Sequence, residues 1–102
     1  MPTLKQFFDF VWDDGNFGKN EKHQVTDREA EEVFFDNQKV TSKDLLHSQN
    51  EVRFILIGKT KTGRLLYTVF TVGKDKIRII SARDINKKEV QLYEKKASSS
   101  KV

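Results

Sequence analysis

Residues 65–82, LLYTVFTVGKDKIRIISA, predict a β-hairpin, and the other predicted elements are arranged around this hairpin. Its two runs are rich in β-branched and aromatic residues, and the connector Gly73-Lys74-Asp75 between them is short and contains glycine. A third run of the same kind is joined to the hairpin by the connector Lys59–Gly63. The pattern therefore predicts an antiparallel meander whose strands cover Val52–Gly58, Leu65–Val72 and Lys76–Ala82.

Shorter signals come before the meander. The aromatic run Phe7–Trp12 predicts a first strand, and a short helix is predicted to end near His23. Thr26 and Glu29 fit a capping box, in which each side chain satisfies a free backbone N–H at the helix start. A second helix is therefore predicted from this point to Asp36-Asn37.

Three further elements complete the predicted order. A short strand is predicted over Gln38–Val40, followed by a polar loop over Thr41–Asn50. After the meander, Asp84 or Asn86 begins a last helix, and Asn86 with Glu89 makes a second capping box.

The predicted fold class is α+β, a small antiparallel sheet packed with two N-terminal helices and one C-terminal helix. A length of 102 residues and a hydrophobic content of 36% are enough for one modest core. Residues 1–96 are predicted to form a single domain, and residues 97–102 a disordered tail.

Charge is distributed unevenly along the chain. Residues 1–52 hold 6 Lys/Arg against 11 Asp/Glu, whereas residues 53–102 hold 13 against 4, so the overall charge of +4 hides a strongly basic second half. A basic surface of this kind is typical of proteins that bind polyanions. The sequence has no cysteine, no apolar run of the ~20 residues that span a bilayer, and no signal-peptide pattern, so a soluble cytoplasmic protein without membrane contact is predicted.

The arginines of the meander are the first candidates for phosphate binding, because a guanidinium group matches phosphate oxygens and a strand holds it in place. Strand alternation predicts that Arg83 lies on the same face of its strand as Ile77 and Ile79. It is therefore predicted to emerge on the core-facing side and to need an anionic partner or a groove there. Arg78 is predicted on the opposite face, where it binds phosphate or pairs with an acidic residue.

Few residues are candidates for proton transfer or for stacking on a base. Lys22 and His23 close the predicted first helix, where cations offset the helix dipole, and the functional alternative is a phosphate contact with a proton carrier. Glu51 belongs to a polar cluster whose side chains either form hydrogen bonds with one another or supply a general base. Tyr93 is either a core aromatic or a ring that stacks on an unpaired base. The other members of the polar cluster are Asp44, His47, Ser48 and Arg53.

The sequence contains no pattern that is typical of a metal site or of a catalytic nucleophile. His23 and His47 are the only histidines, and neither has an acidic neighbour at a typical ligand spacing. Cysteine, a nucleophile elbow and a glycine-rich phosphate loop are all missing from the sequence. We predict no metal site and no cofactor.

A series of short motifs runs through the chain: Trp12-Asp13-Asp14-Gly15-Asn16, Lys19-Asn20, Lys22-His23, Val25, Glu29-Ala30-Glu31-Glu32-Val33-Phe34, His47-Ser48, Glu51, Arg53-Phe54, Gly63-Arg64, Phe70-Thr71, the strand Ile77–Asp84, Asn86, Lys88-Glu89 and Tyr93-Glu94. In this order and spacing they resemble the BrnT family of type II toxins, which are ribonucleases with a RelE-like fold. One departure is Gln24, which stands where the family usually has glycine. Since glutamine tolerates a positive φ poorly, a change in this turn is expected.

The resemblance implies a toxin that cleaves RNA inside the chain without a metal ion and so arrests translation and growth. It also implies a small antitoxin that neutralises the toxin, and operator DNA that is bound only through the toxin–antitoxin complex. The residues that it places at the RNA are Arg64, Arg83, Lys22 and His23, with Arg78 and Glu51 less firmly implied. The basic helix start and the last helix add Lys87, Lys88 and Tyr93 to the predicted RNA-binding set.

The hypothesis is that Arg64 and Arg83 stabilise the charge that develops on the phosphate, while His23 or Glu51 transfers the proton. It requires that the guanidinium groups face one pocket and are not neutralised by internal carboxylates. The alternative is a non-catalytic module that binds nucleic acid or the antitoxin, as an inactive relative acting in operon regulation would.

Overall fold

A four-stranded antiparallel sheet with strand order β1-β2-β3-β4 forms the centre of the fold. The computed structural model describes residues 8–45 and 51–100, the last four in backbone only. Its strands are β1 (Val40–Asp44), β2 (Arg53–Lys59), β3 (Leu65–Gly73) and β4 (Lys76–Asp84). Its helices are the 3-10 helix η1 (Lys19–His23), α1 (Asp27–Glu32), the 3-10 helix η2 (Val33–Phe35) and α2 (Lys87–Ser100).

The predicted α+β class and the meander are confirmed, with strand ends that differ from prediction by at most two residues. The helix count differs, because the first predicted helix is a five-residue 3-10 helix that begins after the left-handed residue Gly18. The described residues therefore contain two α-helices, α1 and α2. Neither is long and apolar enough to cross a membrane.

Two predictions about the first half of the chain need correction. The polar loop predicted over Thr41–Asn50 is wrong for its first part, because β1 continues to Asp44 and pairs with β2. An edge strand with exposed polar residues has the composition of a loop, which hides it in the sequence. The first strand is reduced to one parallel bridge between Phe10 and Ile77, and Phe7 lies outside the described residues.

Both predicted capping boxes are present. In α1 the backbone N–H of Glu29 donates to Thr26 Oγ1 at 3.1 Å, and the backbone N–H of Thr26 donates to Glu29 Oε1 at 3.0 Å. In α2 the same reciprocal bonds join Asn86 and Glu89, each at 2.9 Å. The second helix extends through residues 97–100, which belong to the predicted tail, and the boundary between domain and tail stays a prediction.

The core lies between the sheet and the segment that contains α1 and η2. Phe34 is 2% exposed, and its ring lies 5.0 Å from Phe70 and 5.2 Å from Phe10, measured between centroids. Gly58 allows η2 to approach β2, because a Cβ there would lie 2.7 Å from the carbonyl oxygen of Val33. The remaining core residues are Val25, Ala30, Val33, Leu56, Leu66, Ile77, Ile79 and Ala82.

A β-bulge in β4 overturns the predicted orientation of Arg83. Val69 pairs with Ser81 and the next residue, Phe70, pairs with Ile79, so Ile80 has no partner on β3. The extra residue reverses the alternation. Ala82 therefore joins Ile79 in the core, and Arg83 points to the opposite face of the sheet.

Side chains, rather than a further strand, satisfy the outer edge of β4 beyond Ile77. The backbone N–H of Ile77 donates to Asp9 O, and the carbonyl oxygen of Ile77 accepts from the Val11 N–H, both at 2.8 Å. Further along the same edge, Asn16 Nδ2 donates to Ile79 O at 3.0 Å, and Asn20 Oδ1 accepts from Ala82 N at 2.9 Å. The two asparagines are 1% and 2% exposed, so they connect the loop and η1 to β4 on either side of the bulge.

The turn after η1 contains a residue in the left-handed conformation, although Gln24 stands where the family usually has glycine. Gln24 adopts φ 59° and ψ 34°. A side chain in this region costs roughly 1–2 kcal/mol. The expected change of conformation is therefore not observed, and the protein bears the strain instead.

Replacement of Gln24 by glycine is expected to raise the free energy of unfolding by about 1 kcal/mol, because glycine adopts this conformation without strain. Gln24→Ala is the matched control, since alanine keeps the Cβ and its strain. Urea unfolding of the three proteins measures the effect. Equal stability of the glycine and alanine variants would show that the turn is not strained.

Candidate functional site

Arg64 lies immediately before β3, where its guanidinium group joins three parts of the fold. Its Nε donates to Asp84 Oδ1 at 2.7 Å, and its Nη1 lies 3.3 Å from Glu29 Oε1. The same group donates to the backbone oxygens of Gln24 at 2.7 Å and His23 at 3.3 Å. Arg64 therefore connects the end of η1, helix α1 and the end of β4.

Arg83 emerges from the opposite face of the sheet and forms a bidentate pair with Glu89. Nη1 donates to Oε1 at 2.9 Å and Nη2 donates to Oε2 at 2.8 Å, and the Glu89 side chain is only 11% exposed. The guanidinium carbon lies 4.1 Å from the centroid of the Tyr67 ring, which is a cation–π distance. Strand β3 provides this contact, because Tyr67 pairs directly with Arg83 in the sheet.

Asp84 accepts hydrogen bonds from both guanidinium groups. Its carboxylate accepts from Arg64, and its backbone oxygen accepts from Arg83 Nη1 at 2.9 Å. The two arginines therefore share Asp84 as a partner at the end of β4, although they lie on opposite faces of the sheet. We call Arg64, Arg83, Asp84, Glu29 and Glu89 the junction cluster.

Arg78 and Glu51 lie together, apart from the junction cluster. Arg78 pairs with Asp13, and Glu51 acts electrostatically on Arg78. Both line a surface groove that also contains Thr71 and Lys76. Since Arg78 precedes Arg83 by five residues on β4, about 16 Å separates them along an extended strand. The structure therefore divides the predicted site into two groups.

The remaining predicted cations are exposed around the junction cluster. Lys22 and His23 end η1, next to the carbonyl groups that accept from Arg64. Lys87 and Lys88 begin α2, a few residues after Asp84. Each of these side chains is open to solvent and able to meet a ligand.

Tyr93 is a core aromatic residue, which is the first of its two predicted roles. It is 5% exposed, and its hydroxyl donates to Asp36 Oδ2 at 2.7 Å. Burial, together with this bond to a carboxylate, raises the pKa of the Tyr93 hydroxyl far above its ordinary value. No ring face is open for a base to stack on. His47 lies outside the described residues.

Sequence reasoning missed Tyr67 and the acidic partners of the arginines. The signal for Glu89 was present, since a capping-box glutamate six residues after Arg83 is held beside the end of the strand. Asp84 and Glu29 gave no such signal for Arg64, because they are 20 and 35 residues away in sequence.

The charge state of the junction cluster does not meet the requirement that its guanidinium groups be free. Arg64 faces two carboxylates and Arg83 faces one. Hydrogen bonds from Arg64 lower the pKa of Asp84. For Glu89, burial opposes the shift, but the bonds from Arg83 and the Asn86 N–H outweigh it and lower its pKa. A phosphate group that binds these arginines must therefore displace a carboxylate.

No group of three or more His, Cys, Asp or Glu side chains placed to hold a metal ion occurs among the described residues. The ionic partners in the junction cluster are side chains of the protein itself.

Comparison with known proteins gives the family. A family model described as a ribonuclease toxin, BrnT, of type II toxin–antitoxin systems matches residues 12–89. The chain belongs to this family. The match includes every predicted site residue except Tyr93. No curated protein matches the chain. Membership implies RNA as the substrate class and an antitoxin as a partner.

The junction cluster makes stability depend on pH in the acid range. The pKa of Asp84 is lowered from 3.8 and that of Glu89 from 4.5, so folding favours the ionised forms. Their contribution is full above those values and is lost as the pH falls through the lower folded-state values. We expect the free energy of unfolding, measured in urea, to fall below about pH 4.5.

Glu89→Gln is the control for this measurement, because it keeps an oxygen for the Asn86 N–H and removes the titrating group. The stability difference between the wild type and Glu89→Gln should shrink as the pH falls from 6 toward about 2.5. A difference that stays constant over this range would contradict the assignment.

Proposed function

We propose that this protein is a toxin that cleaves RNA internally, without a metal ion, at the junction cluster. The observation that carries the proposal is that Arg64 and Arg83 both donate to Asp84, while Arg64 also donates to the carbonyl group of His23 at the end of η1, where Lys22 and His23 are exposed. Membership of a ribonuclease toxin family supplies the substrate class. The RelE-like fold that the resemblance implies is part of this proposal.

The chemistry follows from the groups present. The 2′-hydroxyl of one ribose attacks the adjacent phosphorus, the bond to the 5′-oxygen breaks, and a cyclic phosphate and a 5′-hydroxyl result. Negative charge grows on the phosphate oxygens, and guanidinium groups stabilise it through paired hydrogen bonds. Arg64 and Arg83 have this role in the proposal.

Proton transfer is assigned to His23. Imidazole both accepts and donates protons near neutral pH, and His23 is exposed beside the carbonyl groups that bind Arg64. Glu51 is the less suitable choice because it lies with Arg78, away from the junction cluster. Glu89 is a weak base, because its pKa is lowered.

The remaining cations steer the RNA in this proposal. Lys87 and Lys88 at the start of α2 provide sequence-independent phosphate contacts, and Arg78 provides a more distant contact on the same face as Arg83. The partner is a cognate antitoxin that neutralises the toxin, with operator DNA bound only through that complex. The reaction takes place in the cytoplasm.

Purified protein incubated with RNA in the presence of EDTA tests the activity, both on free RNA and in a translating extract. We expect cleavage that survives chelation, and a loss on the order of 10²–10³-fold for Arg83→Ala, as for removal of one transition-state donor. Expression of the wild type should arrest growth, and expression of Arg83→Ala should not.

Arg28→Ala is the matched control, since Arg28 is exposed on α1 outside the junction cluster. It should cleave at the wild-type rate. Salt-sensitive binding with intact RNA in every assay would favour the non-catalytic module. A folded Arg83→Ala protein that remains fully toxic would reject the role of Arg83.

Displacement of Glu89 by phosphate has a separate consequence. In Glu89→Gln the guanidinium group of Arg83 has no anionic competitor, so the affinity for RNA should rise. The slope of log K against log[salt] should stay the same in Glu89→Gln, since Arg83 contacts phosphate in both proteins, and should become shallower by about one phosphate contact in Arg83→Ala. Filter binding to a non-cleavable 2′-deoxy oligonucleotide measures the affinities and the slopes. An unchanged slope in Arg83→Ala would show that Arg83 does not contact phosphate.

A further inference from the structure

Asn20 occupies a position that is unusual for a buried polar residue, because it joins two parts of the proposed site. Its Oδ1 accepts from the backbone N–H of Ala82, the residue immediately before Arg83. Its own backbone oxygen accepts from Val25 N at 3.1 Å and from the Gln24 N–H, which closes the turn after η1.

Through these bonds Asn20 fixes the positions of two parts of the proposed site. The bond to Ala82 sets where the end of β4 lies relative to η1, and therefore where Arg83 lies relative to Lys22 and His23. The bonds to the turn hold the carbonyl groups that accept from Arg64. The bulge at Ile80 is what brings the Ala82 N–H to the outer edge of β4, since without the extra residue the alternation would be reversed.

We propose that Asn20 is a positioning residue of the ribonuclease site, which holds Arg83 and the η1 cations at the separation that one ribose-phosphate requires. This inference rests on the proposed function. Asn16 differs in its role, because it bonds Val11 O and Ile79 O before the bulge and accepts from Asp13 N at 2.7 Å, on the side of Arg78.

Satisfaction of a strand edge is the ordinary explanation for a buried asparagine, and it predicts a loss of stability alone. A positioning role predicts more. Misplacement of a reacting group by about 1 Å lowers a rate on the order of 10²-fold. The catalytic rate of the folded variant therefore separates the two explanations.

The experiment compares Asn20→Ala with Val33→Ala, a truncation of a core residue that is 0% exposed and belongs to neither part of the site. RNA cleavage is measured well below both melting temperatures. We expect kcat to fall roughly 10–100-fold in Asn20→Ala with KM within about threefold of wild type. Val33→Ala should lose stability but keep kcat. Equal kcat in the wild type and Asn20→Ala would overturn the proposal.

A second measurement does not need activity. Hydrogen exchange of the Arg83 side-chain N–H groups, followed by NMR, should accelerate at least tenfold in Asn20→Ala and remain unchanged for Arg78. If the wild type cleaves no RNA, the proposed function fails, and this exchange still reports whether Asn20 positions Arg83. If Asn20→Ala does not fold, Asn20→Ser is tested in its place, because serine keeps a polar group but is too short to keep the bond to the Ala82 N–H. Unaltered Arg83 exchange in the folded variant would also overturn the proposal.

Discussion

Hydrogen bonds at the outer edge of β4 fix the first part of the chain against the sheet. A strand edge leaves backbone groups that must find partners, and here two buried asparagines provide them on either side of a bulge. Because Asn16 and Asn20 belong to the loop and to η1, the same bonds place those segments against the sheet. Without them, η1 and the turn that accepts from Arg64 would lose their side-chain bonds to the strand that carries Arg83.

The ionic contacts at the end of β4 hold the helices to the sheet as well as forming the candidate site. Arg64 reaches α1, and Arg83 reaches α2, from opposite faces of the sheet. Both arginines are partly exposed, so each pair adds little stability by itself. Their geometric effect is larger, because Asp84 accepts from both.

Much of this fold was predictable from the sequence, because the meander has short glycine-containing connectors and both capping boxes have reciprocal side chains. The orientation of Arg83 was not, since one extra residue at Ile80 leaves composition and spacing unchanged while reversing the alternation. Strand β1 was missed for a related reason, because its exposed positions are polar. The partners of Arg64 could not be predicted, since long-range pairing leaves no local pattern. Arg64, Arg83, Lys22 and His23 became candidates through the family resemblance, and their action in one site stays a prediction.

The bidentate pair between Arg83 and Glu89 has a consequence for ligand selection. The tethered carboxylate is present at an effective concentration that a free nucleoside monophosphate does not match. A polymer held first by neighbouring lysines presents its phosphates repeatedly at the same place, and so competes on equal terms. At the proposed site, an internal ion pair of this kind would select RNA chains over nucleoside monophosphates.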